Sequence, residues 1–276
     1  MAESTGVQRL DAAVRTATQR FWPTRRLTER LSTPAALLVL LIGWEVVGRV
    51  SNAVFFPPFS GVARAWWTLA LSGDLGRAMT TSLQALAVGF GLAVVLGIAI
   101  GTAMGLSRTI SYLLDIYVNT LMAAPLIALI PIIAIFLGLD VWARAAVVFL
   151  FSFFVITVNA EAGMKAVDSE LVEMARSFGL GRWQVFVMVI LPAALPAILA
   201  GLRLGIIRAV KGMVTAEMFM AITGLGALLD YYGSAFKGAE LFAVLLTVIA
   251  VSVMAGAVMH QLDRRLSRWQ RGIARE

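Results

Sequence analysis

The stretch Ser82-Leu-Gln-Ala-Leu-Ala-Val-Gly-Phe-Gly-Leu-Ala-Val-Val-Leu-Gly-Ile-Ala-Ile-Gly-Thr-Ala-Met-Gly-Leu106 contains no charged residue. A helix rises about 1.5 Å per residue and the hydrocarbon core of a bilayer is about 30 Å thick, so about 20 such residues cross it. The stretch is therefore expected to be a transmembrane helix. Comparable apolar runs lie at 34–50, 112–138, 143–163, 185–219 and 239–261. The expected fold class is all-α: a polytopic membrane helical bundle of about six transmembrane helices. The first run is short and holds Glu45. The fifth is long and polar towards its end, and is expected to break or leave the membrane before residue 219.

Composition agrees. The 276 residues are 60% hydrophobic and 14% charged, whereas soluble domains are about 45–50% apolar and about 25% charged. The length is expected to leave no room for an additional soluble catalytic domain. There is no cysteine, which excludes disulfides, thiolate metal sites and cysteine nucleophiles. A single histidine, His260, argues against His-based metal clusters and Ser-His-Asp triads. The net charge of +7 sits in flanks and loops around the apolar runs, which suits lipid headgroups and topology rather than nucleic acid.

Residues 1–33 form a basic N-terminal tail. They lack the short apolar core and cleavage site of a signal peptide, and read either as an interfacial helix with Phe21 and Trp22 at the headgroups or as disorder. The apolar region spans 34–261, with a loop at 164–184, and a second tail covers 262–276. With six spans and both termini cytoplasmic, fifteen of the 23 basic residues fall on the cytoplasmic side; Arg49, Arg64, Arg77, Arg144 and Lys237 fall outside. Residues 51–81 read as an external loop with an interfacial helix, and 224–238 as a second external segment. Gly97, Gly101 and Gly105 make a small-residue ladder for close helix packing. Pro125 and Pro131 interrupt the third span and predict a kink. Trp66, Trp67, Trp142, Trp183 and Trp269 read as interfacial anchors and His260 as an interfacial residue. Asn119 and Asn159 read as interhelical hydrogen-bonding residues.

The loop at 164–184 is the most informative. Asp168 suits a helix N-cap, Glu170 and Glu173 suit the first turns, and Gly179 suits the left-handed position after the end. Leu171, Met174, Ala175 and Phe178 recur at helical spacing and make one apolar face. The pattern predicts a short cytoplasmic amphipathic helix, lying on its own bundle or docking into a groove on a soluble partner.

Glu173-Met174-Ala175, Gly179, Val189 and Leu191-Pro192 resemble the signature of ABC-importer permeases: Glu-Ala-Ala, three residues, Gly, nine residues, Ile, one residue, Leu-Pro. The spacing fits throughout; Met174 replaces Ala, and Val189 replaces Ile conservatively. The resemblance extends over roughly residues 80–270, through Pro192-Ala-Ala-Leu-Pro196, Gly201-Leu-Arg203, Arg208-Ala209, Ala216-Glu217, Gly224-Leu-Gly226 and Asp263-Arg-Arg-Leu-Ser-Arg-Trp269. It is similar to the subgroup for nitrate, taurine and aliphatic sulfonates. It implies a bacterial inner-membrane subunit that pairs with a second copy of the permease. Two ATP-binding cassette subunits would dock at Leu171, Glu173, Met174, Ala175, Phe178 and Gly179, and an extracytoplasmic substrate-binding protein would deliver solute. This chain has no G-x-x-x-x-G-K-[ST] loop, so no cofactor is expected on it, and ATP and Mg belong to the partner ATPases.

Arg203, Arg208 and Lys211 lie in the fifth run, where a lone Arg costs about 2.5–3.5 kcal/mol on insertion scales. They read as ion pairs with Glu217, Glu45 or Asp115, as a positive stretch of pathway admitting an anion, or as snorkelling side chains. Together with Glu217 they are the candidate pathway residues. A stand-alone channel or secondary transporter is the competing reading. An intramembrane enzyme is weakest, because no acid-base or metal constellation is visible.

Overall fold

The computed structural model describes residues 25–51, 56–220 and 223–266, with side chains of the first helix described from Ala35 and of the last to Arg265. The N-terminal expectations for Phe21 and Trp22, and the anchor role of Trp269, lie outside them. The described residues are helical: α1 (Arg25–Val50), α2 (Phe59–Leu71), α3 (Asp74–Leu106), α4 (Arg108–Ala123), α5 (Ile130–Leu137), α6 (Val141–Lys165), α7 (Ser169–Ser177), α8 (Arg182–Val185), α9 (Leu191–Met220), α10 (Leu225–Ser234) and α11 (Gly238–Leu266). Contacts divide the chain into two units, Met1–Gly61 and Val62–Glu276.

In the first unit the end of α1 is tied to the start of α2. Both Glu45 carboxylate oxygens accept from Ser60, from its N–H (2.9 Å) and its hydroxyl (2.8 Å), and Arg49 donates to the same group at 2.7 Å. Trp44 Nε1 donates to the Pro57 carbonyl at 3.0 Å. Glu45 is thus spent on an anionic cap for α2, where the helix dipole favours it.

In the second unit α6 is the central helix. It is buried on several sides, from Ala143 and Val147 through Ile156 to Met164. Gly89, Gly97, Gly101 and Gly105 of α3 meet Ala145, Ile156, Thr157 and Met164 in turn, so the two helices run parallel. The glycine ladder is a packing seam against α6: a Cβ at Gly101 would strike the Thr157 carbonyl. Gly201, Gly205 and Gly212 of α9 meet Asn159, Ile156 and Phe151, so α9 runs antiparallel to α6. Small residues on both flanks of α6 let three backbones approach where dispersion, not hydrophobicity, must hold them.

Among the described residues, four helical stretches are long and apolar enough to cross a membrane: Asp74–Leu106, Val141–Lys165, Arg182–Met220 and Gly238–Arg265. The third run is broken rather than kinked. Arg108–Ala123 and Leu126–Leu137 meet at 92° and could together make a fifth crossing. Ala124 is extended because it precedes Pro125, while Pro131 falls in the first turn of α5, where a missing N–H costs nothing. A sixth crossing would rest on α1, which carries the first apolar run.

Two boundaries differ from expectation. The span expected from residue 82 begins at Asp74. The fifth run does not break before 219: α9 continues to Met220, and its irregularity lies at its start, where Phe186–Ile190 form a π turn. Pro192 and Pro196 remove two helical donors there, whereas the polar residues further on find partners or an exposed face. Residues 51–81 contain α2, where the sequence suggests a helix, and 224–238 contain α10, where it suggests none; Trp66 also donates its indole N–H to Thr247 of α11 at 3.1 Å.

Candidate functional sites at the two ends of the bundle

The α7 segment forms as its sequence dictates. Asp168 accepts from the Glu170 N–H at 2.9 Å, and Glu170 and Arg176 complement the dipole at either end. At the other terminus Gly179 N–H bonds Arg176 O (2.9 Å) and Leu180 N–H bonds Ala175 O (3.4 Å). This is a Schellman closure, and Gly179 takes the positive φ of 82° that it requires. Leu171, Met174 and Phe178 are exposed, Phe178 to 80%, and so is Glu173. Ala175 departs from the expected face. It is buried, at 5% exposure, because it lies on the flank of the stripe next to Val172 and turns towards the bundle. The apolar surface on offer is therefore Leu171, Met174 and Phe178.

Beside α7, at the same end, the sequence alone did not flag a polar cluster. Glu161 of α6 is buried and accepts from Lys165 (2.6 Å) and from the Ser111 hydroxyl (2.7 Å). It ties α4 to the end of α6. A groove of about 1060 Å³ opens nearby, with Arg108, Asp115, Tyr112 and Lys165 in its wall.

The opposite end carries a buried lock. Glu217 of α9 is fully buried. Its Oε2 accepts from the Ser82 hydroxyl of α3 at 2.8 Å and from the Gly226 N–H at 3.0 Å; Ser82 in turn accepts from the Leu225 N–H at 2.9 Å. Gly224, before α10, has no side chain to cap that helix, so a distant carboxylate and hydroxyl cap it instead. Gly224 has φ 103°, and any side chain there would run into the Glu217 carboxyl group. Arg144 of α6, only 6% exposed, places Nη1 at 3.8 Å from Glu217 Oε1. Arg144 Nε and Nη1 and Glu217 Oε1 have no hydrogen-bond partner among the described residues.

Two expectations are corrected here. Arg144, grouped by the sequence with the basic residues of external segments, lies in the first turn of α6 as a buried partner of Glu217. Glu217 presents no surface to a pathway; it pairs with Arg144 rather than with Arg203, Arg208 or Lys211. Nothing in the sequence links positions 144 and 217, since only the packing of α6 on α9 brings them together.

The three cations of the fifth run separate. Arg203 forms an ion pair with Asp263 of α11, a partner the sequence reading did not consider. Arg208 and Lys211 are exposed on one face of α9 with Leu204 and Ile207, and neither makes an ion pair among the described residues. Asp115 accepts from Asn119 at 2.9 Å instead, and Asn159 donates to Val155 O at 2.7 Å, so both asparagines bond within their own helices rather than between helices. Trp67, Trp142 and Trp183 are exposed, in keeping with anchoring, and His260 is exposed as well.

The family of binding-protein-dependent transport system inner membrane components matches residues 93–269. The taurine transport system permease protein TauC of Escherichia coli (strain K12) is 30% identical over 90% of this chain and 92% of its own length. The putative aliphatic sulfonates transport permease protein SsuC of the same organism is 34% identical, over 82% of this chain and 87% of its own. Among solved structures, a chain of the inward-facing MetNI methionine ABC transporter superposes with a TM-score of 0.61 at 19% identity, covering 71% of this chain and 98% of that one. A capped amphipathic helix between two apolar spans, on a chain matched by this family over most of its length, has one reading: the chain belongs to the binding-protein-dependent transport system inner membrane components, as a multi-pass permease subunit of an ATP-driven importer.

Proposed function

We propose that this permease imports a small anion of the sulfonate class as one of two copies around a shared pathway. In this reading α7 is the coupling helix. Leu171, Met174 and Phe178 enter a groove on each of two ATP-binding cassette subunits, with the exposed Glu173 beside them and Gly179 closing the helix. ATP and Mg bind in those subunits, and a substrate-binding protein on the outer side presents the solute. Both termini are cytoplasmic, with the N-terminal tail at 1–33, the transmembrane region at 34–261 and the C-terminal tail at 262–276. Closure of the ATPase pair pushes α7, and the bundles rock between inward and outward access as rigid bodies.

The observation that carries this reading is the exposed apolar stripe on a helix fully capped at both ends. A stripe of that kind is costly to leave in water and pre-ordered to dock. The test is purification of the complex and its reconstitution in liposomes. Uptake is expected only with ATP inside, together with the ATPase and binding protein that co-purify. Flux through this chain alone, without ATP, would establish the stand-alone transporter instead.

The anionic character of the solute is supported by Lys211, exposed on the face of α9 that also carries Arg208, and by the sulfonate relatives. A charge-assisted hydrogen bond contributes about 1.5–3 kcal/mol. Lys211→Met is therefore expected to lower uptake of an alkyl sulfonate by about tenfold or more, with the amount of assembled complex unchanged. Equal uptake by the variant would remove Lys211 from the pathway.

A further inference from the structure

We infer that Arg208 is neutralised across the permease dimer by Asp115 of the second copy, which leaves Lys211 as the uncompensated cation facing the solute. The inference rests on the proposal that two copies pair. Both residues lie on exposed faces of apolar helices, where an unpaired charge must meet protein or water. Around Asp115, Val118 is the one buried residue of α4, so almost the whole helix is open to a partner. The signs are complementary, and within one chain Arg208 has no carboxylate partner among the described residues.

Depth agrees as well. Gly205 and Gly212 of α9 lie against Ile156 and Phe151, which sets Arg208 level with about Phe153 of α6. Ser111 of α4 bonds Glu161, and Val118 packs in one cluster with Phe154. Asn119 is therefore at the level of Arg208, and Asp115 lies about one turn, roughly 5.4 Å, nearer the α7 end. A two-fold axis normal to the membrane preserves depth, and an arginine side chain covers one turn. Neither of the other cations near Asp115 forms an ion pair with it among the described residues. Lys165 is engaged by Glu161, and Arg108 is a cation on the helix that carries Asp115. Asn119 donates to Asp115 Oδ1, which holds the carboxylate in place and leaves its second oxygen to accept.

The chain has no cysteine, so thiol chemistry is clean. Asp115→Cys with Arg208→Cys, expressed with the ATPase and binding protein, is treated in membranes with a short bifunctional thiol reagent. A disulfide would ask for Cα atoms within about 4.4–6.8 Å, closer than an Arg–Asp pair holds them. The expected result is a crosslinked permease dimer with the double variant and only traces with either single one. Charge reversal gives a second reading. Asp115→Arg or Arg208→Asp alone lowers the assembled, transporting fraction by about tenfold or more, the effect of like charges set face to face, and Asp115→Arg with Arg208→Asp restores most of it. Failure of the combined reversal to exceed the single ones, or no dimer band with the double cysteine variant, overturns the pairing. If the unsubstituted chain also fails to retain its ATPase, the importer reading fails with it; if it retains the ATPase, only the pairing fails.

Discussion

Met174→Asp combined with Phe178→Asp is expected to abolish ATP-stimulated uptake while leaving the permease folded. The two side chains are 53% and 80% exposed, and substitutions at such positions usually change stability by no more than about 0.5 kcal/mol. In a docked complex the same side chains leave water. Burying each contributes about 1.5–3 kcal/mol, so losing both removes about 3–6 kcal/mol, or roughly a hundredfold to ten-thousandfold in docking affinity. Forcing a carboxylate into an apolar groove adds a desolvation cost on top. The measurement compares thermal unfolding of the purified variant with the ATPase retained on the permease and with uptake into liposomes. Unchanged unfolding with loss of both other signals is the expected outcome. Full coupling in the double variant would show that the motor grips elsewhere. Ala175→Asp provides the contrast: Ala175 is buried against the bundle, so that variant should lose thermal stability as well as coupling.

Glu217→Ala is expected to be among the most destabilising single changes in the chain. It removes the acceptor for Ser82 and Gly226 and leaves Arg144 buried and unpaired. Breaking one side of a buried ion pair costs about 3–5 kcal/mol. At about 2–4 °C per kcal/mol, this lowers Tm by roughly 6–20 °C. Glu217→Gln should cost less, because an amide oxygen still accepts from Gly226 and Ser82. Adding Arg144→Met to Glu217→Gln should recover part of the loss, since the stranded cation goes with it. Unfolding followed in detergent decides the matter, and a Glu217→Ala protein as stable as the parent would mean that this lock does not hold α10. Gly224→Ala should fail by another route, as a strained positive φ and a collision with the Glu217 carboxyl group.

Much of this was legible in the sequence because the forces involved are local. A run such as 82–106 is helical in a bilayer whatever surrounds it, since its backbone groups have no other partner there. The α7 helix was legible for the same reason. Its cap at Asp168, its closure at Gly179 and its apolar spacing all act within about ten residues. The fate of the charges was not legible. The sequence groups Glu217 with the cations six to fourteen positions before it on the same helix. Its actual partners, Ser82, Arg144 and Gly226, come from three other segments. Arg203 found Asp263, sixty positions away, for the same reason.

The sequence by itself determined the apolar runs that become the long helices, an interruption at Pro125, the capped segment between α6 and α9 and, through that segment's fixed spacing, the family. Only the tertiary structure decided which face of each helix is covered. It turned Ala175 inward, buried Arg144 and Glu217 together, and left Arg208 and Lys211 exposed. Helix formation is settled by each residue and its neighbours within a turn or two. Burial and ion pairing depend on which helices lie side by side, and that is set by small residues along α3, α6 and α9 whose contacts no local pattern specifies.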